Sequence, residues 1–336
     1  MFRNTTLIAA LFGLFLAATG TASAQTATCY NCPPEWADWK TQLKVIEEET
    51  GIRVPPDNKN SGQTLAQLIA EKDNPVADIA HFGVGFAIRG KEAGVLEPYK
   101  PAKYWDDIPE ALKDPEGYWH TIYYGTLGLF VNLDALGDRP VPKGWSDLTD
   151  PQYRGMVGYL DPSSSFVGVA AGVAINRALG GTLDDFTPAI EWFKATAEND
   201  AIVPKQTSYA RVVSGEIPIL IDYDFNAYRA RYDDDANTRF VIPEEGTLIV
   251  PYVMGLVKDS PSPANGKKVL DHLLTDEGQA VFANAYVRPV RPSAASPEAR
   301  EKFLPDSDYE RASGTDFAAV AEVQDAFIQR YLNEGR

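Results

Sequence analysis

The stretch "ADIAHFGVGFAIRGKEAG" (residues 77–94) decides the architecture. Its opening "ADIAHF" is mostly apolar and short, as a buried strand is, and "GFAIRGKEAG" follows as a helix closed by Gly94, since glycine ends a helix in the left-handed conformation without steric cost. Upstream, "GIRV" reads as a strand and "GQTLAQLIAEKD" as a helix. Trp36, Trp39, Leu43 and Ile46 recur at helical spacing behind Pro33 and Pro34, where a helix start tolerates proline. This alternation implies an α/β fold, a mostly parallel sheet flanked by helices.

The same rhythm returns after "YYGTLGLFVN". "RGMVGYL" is an expected strand, "SSFVGVAAGVAINRAL", "TPAIEWFKATAEN" and "SYARVVSG" are expected helices, and "IPILIDYD" is a strand. "TLIVPYVMGLVK" is extended and "NGKKVLDHLLTDEGQAVFANAY" helical. With no repeat of 20 to 50 residues and no low-complexity linker, strands rather than a flexible tether should join two halves.

Between strand and helix lies "LDPSSSF", in which Ser163, Ser164 and Ser165 can supply a nucleophile, a helix cap, or a rest for an anion. A helix start has unpaired N–H groups and the positive end of its dipole, so hydroxyls there suit phosphate, phosphonate or carboxylate; a cap alone needs one serine. In "LIDYDFNAYRARY", Asp222 and Asp224 end an apolar strand, where open α/β sheets place their ligand crevices, and they suit an ammonium group or the cap of the following helix. Tyr223, Tyr228 and Arg229 add hydroxyls and guanidinium donors.

The first residues look like a secretory signal: Arg3, the apolar run "LIAALFGLFLAA", and Ala22-Ser23-Ala24 as the cleavage site. The run is too short to span a bilayer, which takes roughly 20 residues, so no stable membrane insertion is expected. The net charge of −16, with a pI near 4.7, argues against nucleic acid. The two cysteines, Cys29 and Cys32 in "CYNC", read as a disulfide in an oxidising compartment, with a thioredoxin-like redox site as the alternative.

Several chemistries find little footing. "GFAIRGKE" has phosphate-loop spacing, but Glu92 stands where a Ser or Thr must meet magnesium. There is no G-x-S-x-G and no S-x-x-K, and the histidines are only His81, His120 and His272, so a secreted serine hydrolase survives only as a triad assembled in space. No metal-ligand spacing occurs and no cofactor is implied. Trp36, Trp39, Trp119, Tyr123 and Tyr124 read as core, a minority lining a cleft.

"ADIAHFGVGFAIRGKEAGVLEPYKP", "YYGTLGLFVNLDAL", "VPKGWSDLTDPQYRGMVGYLDPSSS" and "LTDEGQAVFANAYVRPVRP" together resemble, in sequence and order, the periplasmic solute-binding proteins of ABC importers. The nearest branch includes ferric-iron, thiamine, polyamine, phosphonate and organophosphate binders. The resemblance implies a two-lobed, hinged receptor, not an enzyme, that closes on a small polar solute and hands it to the transmembrane permease served by a separate ATPase. It implies a signal over residues 1–24, lobe 1 over 25–128, lobe 2 over 129–248, and a return to lobe 1 with C-terminal helices over 249–336, working as a periplasmic monomer. It places Asn31, His81, Gly83, Ser163, Ser164, Ser165, Asp222, Tyr223 and Asp224 in the cleft. Serines for an anion and acids for an amine would suit an aminophosphonate-like zwitterion; an organophosphate would use the serines, a polyamine the acids. The iron binders carry adjacent tyrosines after the matching strand, whereas "DYDFNAY" has Tyr223 and Tyr228 five apart, which disfavours ferric iron.

Overall fold

A computed structural model describes residues 25–204 and 208–336; the expected signal, residues 1–24, lies outside the described residues. The first half contains β1 (Cys29–Tyr30), α1 (Trp39–Thr50), α2 (Ser61–Ala70), β2 (Ile79–Gly83), α3 (Val84–Glu92) and the start of the long strand β3 (His120–Asn132). The second contains β4 (Val157–Tyr159), α4 (Phe166–Ala178), α5 (Thr187–Glu198), β5 (Ile219–Tyr223), α6 (Asp224–Tyr232) and β6 (Thr238–Val241). The chain then returns through β7 (Thr247–Val257), α7 (Pro263–Leu273), α8 (Asp276–Asn284), β8 (Arg288–Pro289) and α9 (Phe317–Glu334).

One mixed sheet runs through both lobes with spine order β1-β2-β7-β3-β5-β4. The strand–helix–strand units pair in parallel, β1 with β2 and β4 with β5, as the alternation requires. The two crossing strands add antiparallel ladders. Residues 120–126 of β3 pair with β7, and residues 127–131 pair with β5, from Leu127 opposite Tyr223 to Val131 opposite Ile219. One continuous strand thus changes partner between Thr126 and Leu127, and the lobes are joined by sheet rather than by a loop. The expected boundaries at 128 and 248 fall inside β3 and β7.

Helix α1 begins three residues later than the Trp36–Ile46 spacing suggests. Ala37 and Asp38 take left-handed φ values of 49° and 50°, and the Asp38 carboxylate caps the helix by accepting the Thr41 N–H. Trp39, Leu43 and Ile46 remain on its buried face, while Trp36 is released from the helix.

The last helix does not stay with lobe 1. α7 and α8 pack on α1, but α9 crosses to lobe 2, stacking Phe327 on Phe186 at 4.7 Å and setting Tyr331 edge-on to Phe193 at 5.0 Å. It also lies along α3, where Arg89 approaches Asp325 at 3.9 Å. The Phe327 ring fills the space over Gly172 of α4, where a Cβ would come within 2.3 Å of it. Phe327→Ala should therefore empty the lobe 2 core and lower stability by about 3–5 kcal/mol, read as a shifted urea midpoint.

Candidate functional site

The lobes enclose a cavity of about 330 Å³, at the small end of the roughly 300–1,000 Å³ typical of small-molecule sites. Each wall is a turn wound around a carboxylate. On the lobe 1 side, Asp57 Oδ1 accepts the N–H groups of Asn31 and Lys59, both at 3.0 Å, while Oδ2 is paired with the Lys59 ammonium. Burial pushes the Asp57 carboxyl up, but these hydrogen bonds, led by Lys59, bring it below its ordinary value. Asn31 holds a left-handed φ of 64° and sits between Cys29 and Cys32, which form a disulfide. The wall continues into α2, where Asn60 and Gln63 form a reciprocal capping box and Ser61 Oγ accepts the Gly83 N–H at 3.0 Å.

On the lobe 2 side, Asp161 plays the corresponding part. Its Oδ1 accepts the Ser163 N–H at 2.9 Å and the Ser163 hydroxyl at 2.6 Å, and its carbonyl accepts the N–H groups of Ser164 and Ser165. Ser165 is the N-cap of α4 but makes no side-chain cap hydrogen bond, and the helix start at Phe166 and Val167 lines the cavity. Phe166 reaches across to lobe 1 and covers Gly83 and Gly85, where a Cβ would lie 2.5 and 2.9 Å from its ring. Only residues without a side chain permit the lobes to meet this closely.

Of the residues singled out in the sequence, Asn31, Trp36, His81, Ser164 and Ser165 line the cavity. Gly83 lies beneath Phe166, and Ser163 is turned to Asp161. Asp222 and Asp224, read as facing the cleft, are instead enclosed. Asp222 accepts the Tyr223 N–H at 2.8 Å and the Asn226 amide at 2.9 Å. Asp224 accepts the N–H groups of Thr126 and Phe225 and the Tyr309 hydroxyl, with Arg288 Nε at 3.7 Å, so it ties α6 to the strand that changes partner. Burial pushes both carboxyls up to about 6. Tyr223 is wholly buried, its ring stacked on Phe225.

His81 is also committed internally. Its Nδ1 lies 2.8 Å from the Asn31 carbonyl and its Nε2 2.9 Å from the Tyr123 hydroxyl, which accepts the Trp36 indole N–H at 3.1 Å. One consistent tautomer results: Nδ1–H donates to Asn31, and Nε2 accepts from Tyr123. Burial pulls the imidazole down to about 4.

Lys59, Ser61, Phe86, Phe166 and Tyr252 line the cavity but were not singled out as ligand contacts. A signal for the α2 corner exists in "NKNSGQT": Asn60 followed three residues later by Gln63 marks a helix start behind a strand, the logic that flagged the serines. The aromatic residues carry no such mark.

Residues 74–317 match the family model for bacterial extracellular solute-binding proteins. The chain belongs to that family. It is 31% identical over 281 residues to an uncharacterized Haemophilus influenzae protein, covering 80% of this chain and 79% of the relative. It is 26% identical to a putative 2-aminoethylphosphonate-binding periplasmic protein of Salmonella typhimurium, covering 75% and 74% of the two chains. Its fold matches the periplasmic binding protein AfuA of Actinobacillus pleuropneumoniae with fructose-6-phosphate bound, at a TM-score of 0.78, 24% identity, and 93% and 99% coverage. The solute-binding protein is thus the periplasmic, two-lobed component of an ABC transporter. No helix among its described residues is long and apolar enough to cross a membrane.

The buried groups oppose one another on acidification. His81 and His120, both pulled down to about 4 by burial, stay neutral while the unfolded chain takes up protons near pH 6.5, so acid destabilises the fold through them. Asp222 and Asp224, pushed up to about 6, bind protons in the folded state first, so acid stabilises it through them. Asp222→Asn should therefore give a steeper fall of the thermal midpoint between pH 6.5 and pH 4 than the wild type, measured by fluorimetry across that window.

Proposed function

We propose that this receptor captures a small organic anion, a phosphonate or phosphate ester, by closure of its lobes, and delivers it unaltered to its permease. The observation that carries this reading is the facing of two walls. The open start of α4, with Ser164 and Ser165, stands on one side of the cavity, and Lys59 and Ser61 on the other. Helix-start N–H groups and hydroxyls favour a tetrahedral oxyanion, and on the opposite wall the Lys59 ammonium offsets the Asp57 charge that would repel one. The aromatic lining from Trp36, Phe86, Phe166 and Tyr252 suits a carbon-bearing solute better than bare phosphate. The names of the aminoethylphosphonate-binding relative and of the fructose-6-phosphate complex support the same class.

A zwitterion remains the favoured form of the solute, but with a different partner for its amine. Glu35 lines the cavity, whereas Asp222 and Asp224 are occupied by internal hydrogen bonds. The aminophosphonate reading therefore rests on Glu35. Among the described residues a polyamine would find only this carboxylate on the lining, and it would leave the α4 start unused. Ferric iron would need ionised ligands, and the Tyr252 phenol is held well above its ordinary value by burial and by neighbouring Tyr223.

Catalysis is disfavoured by the His81 hydrogen bonds. Both ring nitrogens are engaged, to Asn31 and Tyr123, so the cavity histidine cannot serve as base to Ser164 or Ser165. The same reading takes the receptor as a monomer: the exposed large apolar side chains among the described residues are Ile69, Val76 and Val203.

A thermal-shift screen tests the reading directly. At about 100-fold excess over Kd, a ligand that binds only the folded state adds roughly 2.7 kcal/mol. 2-Aminoethylphosphonate or fructose 6-phosphate should raise the midpoint, and Ser165→Ala should weaken binding about tenfold, as expected for loss of a hydrogen bond to a charged group. A rise with putrescine or ferric citrate alone, or steady turnover of chromogenic esters, would overturn it.

A further inference from the structure

Asp161 presents a difficulty for any receptor of anions. Its side chain is 4% exposed, it organises the turn that carries Ser164 and Ser165, and its charge sits within the wall that must attract an oxyanion. The turn cannot dispense with it, because Asp161 accepts the Ser163 N–H and hydroxyl through its carboxylate and the next two N–H groups through its carbonyl.

Its second oxygen provides the answer. Arg336 Nη2 donates to Asp161 Oδ2 at 2.6 Å, and the guanidinium lies 5.0 Å from the ring centroid of buried Tyr331. The arginine is delivered by α9, far along the chain from the turn it neutralises. The lobe 1 wall has the same construction, with Asp57 organising Asn31 and Lys59 and paired to the Lys59 ammonium.

We propose that the Asp161–Arg336 pair is a specificity element of the cavity: Asp161 shapes the serine turn, and Arg336 cancels its charge so that an anion is accepted there. Arg336 is a positioning and charge-balancing residue and does not line the cavity. The inference rests on the organic-anion reading above. An unpaired carboxylate withdrawn from water within this wall repels an anion held by the turn it organises, enough to weaken binding about tenfold or more. The same carboxylate would favour a cation.

The test uses the full mature chain and four forms: wild type, Arg336→Gln, Asp161→Asn, and the double variant. Titration calorimetry with 2-aminoethylphosphonate, fructose 6-phosphate and inorganic phosphate reads the affinity, and thermal midpoints without ligand report folding. Arg336→Gln is expected to lose about tenfold in affinity for the anion that the wild type binds, with near-native folding because Arg336 is half-exposed. The double variant is expected to recover, since the amide introduced by Asp161→Asn keeps an oxygen for Ser163 but carries no charge. If the double variant stays as weak as Arg336→Gln, the arginine is only a tether and the proposal is wrong. If Arg336→Gln binds as tightly as wild type, the proposal falls while the anion reading stands. If the wild type binds none of the three anions, both fall together.

Discussion

A carboxylate removed from water must be satisfied by hydrogen bonds and a nearby cation, or it is lost as a charge; the cavity walls are arranged around that requirement. Asp57 gathers the Asn31 and Lys59 N–H groups and is paired with the Lys59 ammonium. Asp161 gathers the serine turn and takes Arg336. Asp224 bonds the Thr126 N–H where β3 changes partner and has Arg288 beside it. In each case the acid fixes backbone N–H groups that would otherwise be free to reorient, and the cation offsets the charge. Binding geometry and hinge geometry thus depend on one kind of interaction used three times.

The lobes meet through a different contact. Phe166, the first residue of α4, covers Gly83 and Gly85 of the opposite lobe, and Trp36 packs edge-on against Phe225 at 5.1 Å. Arg229 adds a hydrogen bond to the Glu35 carbonyl. These contacts join the lobes through the protein's own surfaces. The helix whose start lines the cavity also begins with the residue that covers the opposite lobe.

Much of this was legible in the sequence because strands and helices announce themselves through periodicity. "ADIAHF" and "IPILIDYD" are apolar runs of strand length, and both became strands buried along their whole length. The serine turn was legible because a helix start after a strand has unpaired N–H groups whatever surrounds it. The fate of Asp222 and Asp224 was not, since position at a strand end does not say whether a side chain turns to the crevice or to its own backbone. The Asn226 amide and the Thr126 N–H decide that, and both are tertiary facts. The helix start at Trp39 was equally hidden, because nothing in "EWADW" signals two successive left-handed residues other than glycine. Arg336 was invisible for the plainest reason: its partner lies 175 positions away.

The route of α9 bears on how the protein is made. Lobe 1 is interrupted by lobe 2 and completed by α7 and α8, while lobe 2 lacks Phe327 and Tyr331 until α9 arrives. Neither half has its full core while the chain is still being synthesised, so the nascent polypeptide cannot lock into a finished domain early. A protein bound for the far side of a membrane gains from that delay, because a thread passes a translocation pore and a folded globule does not.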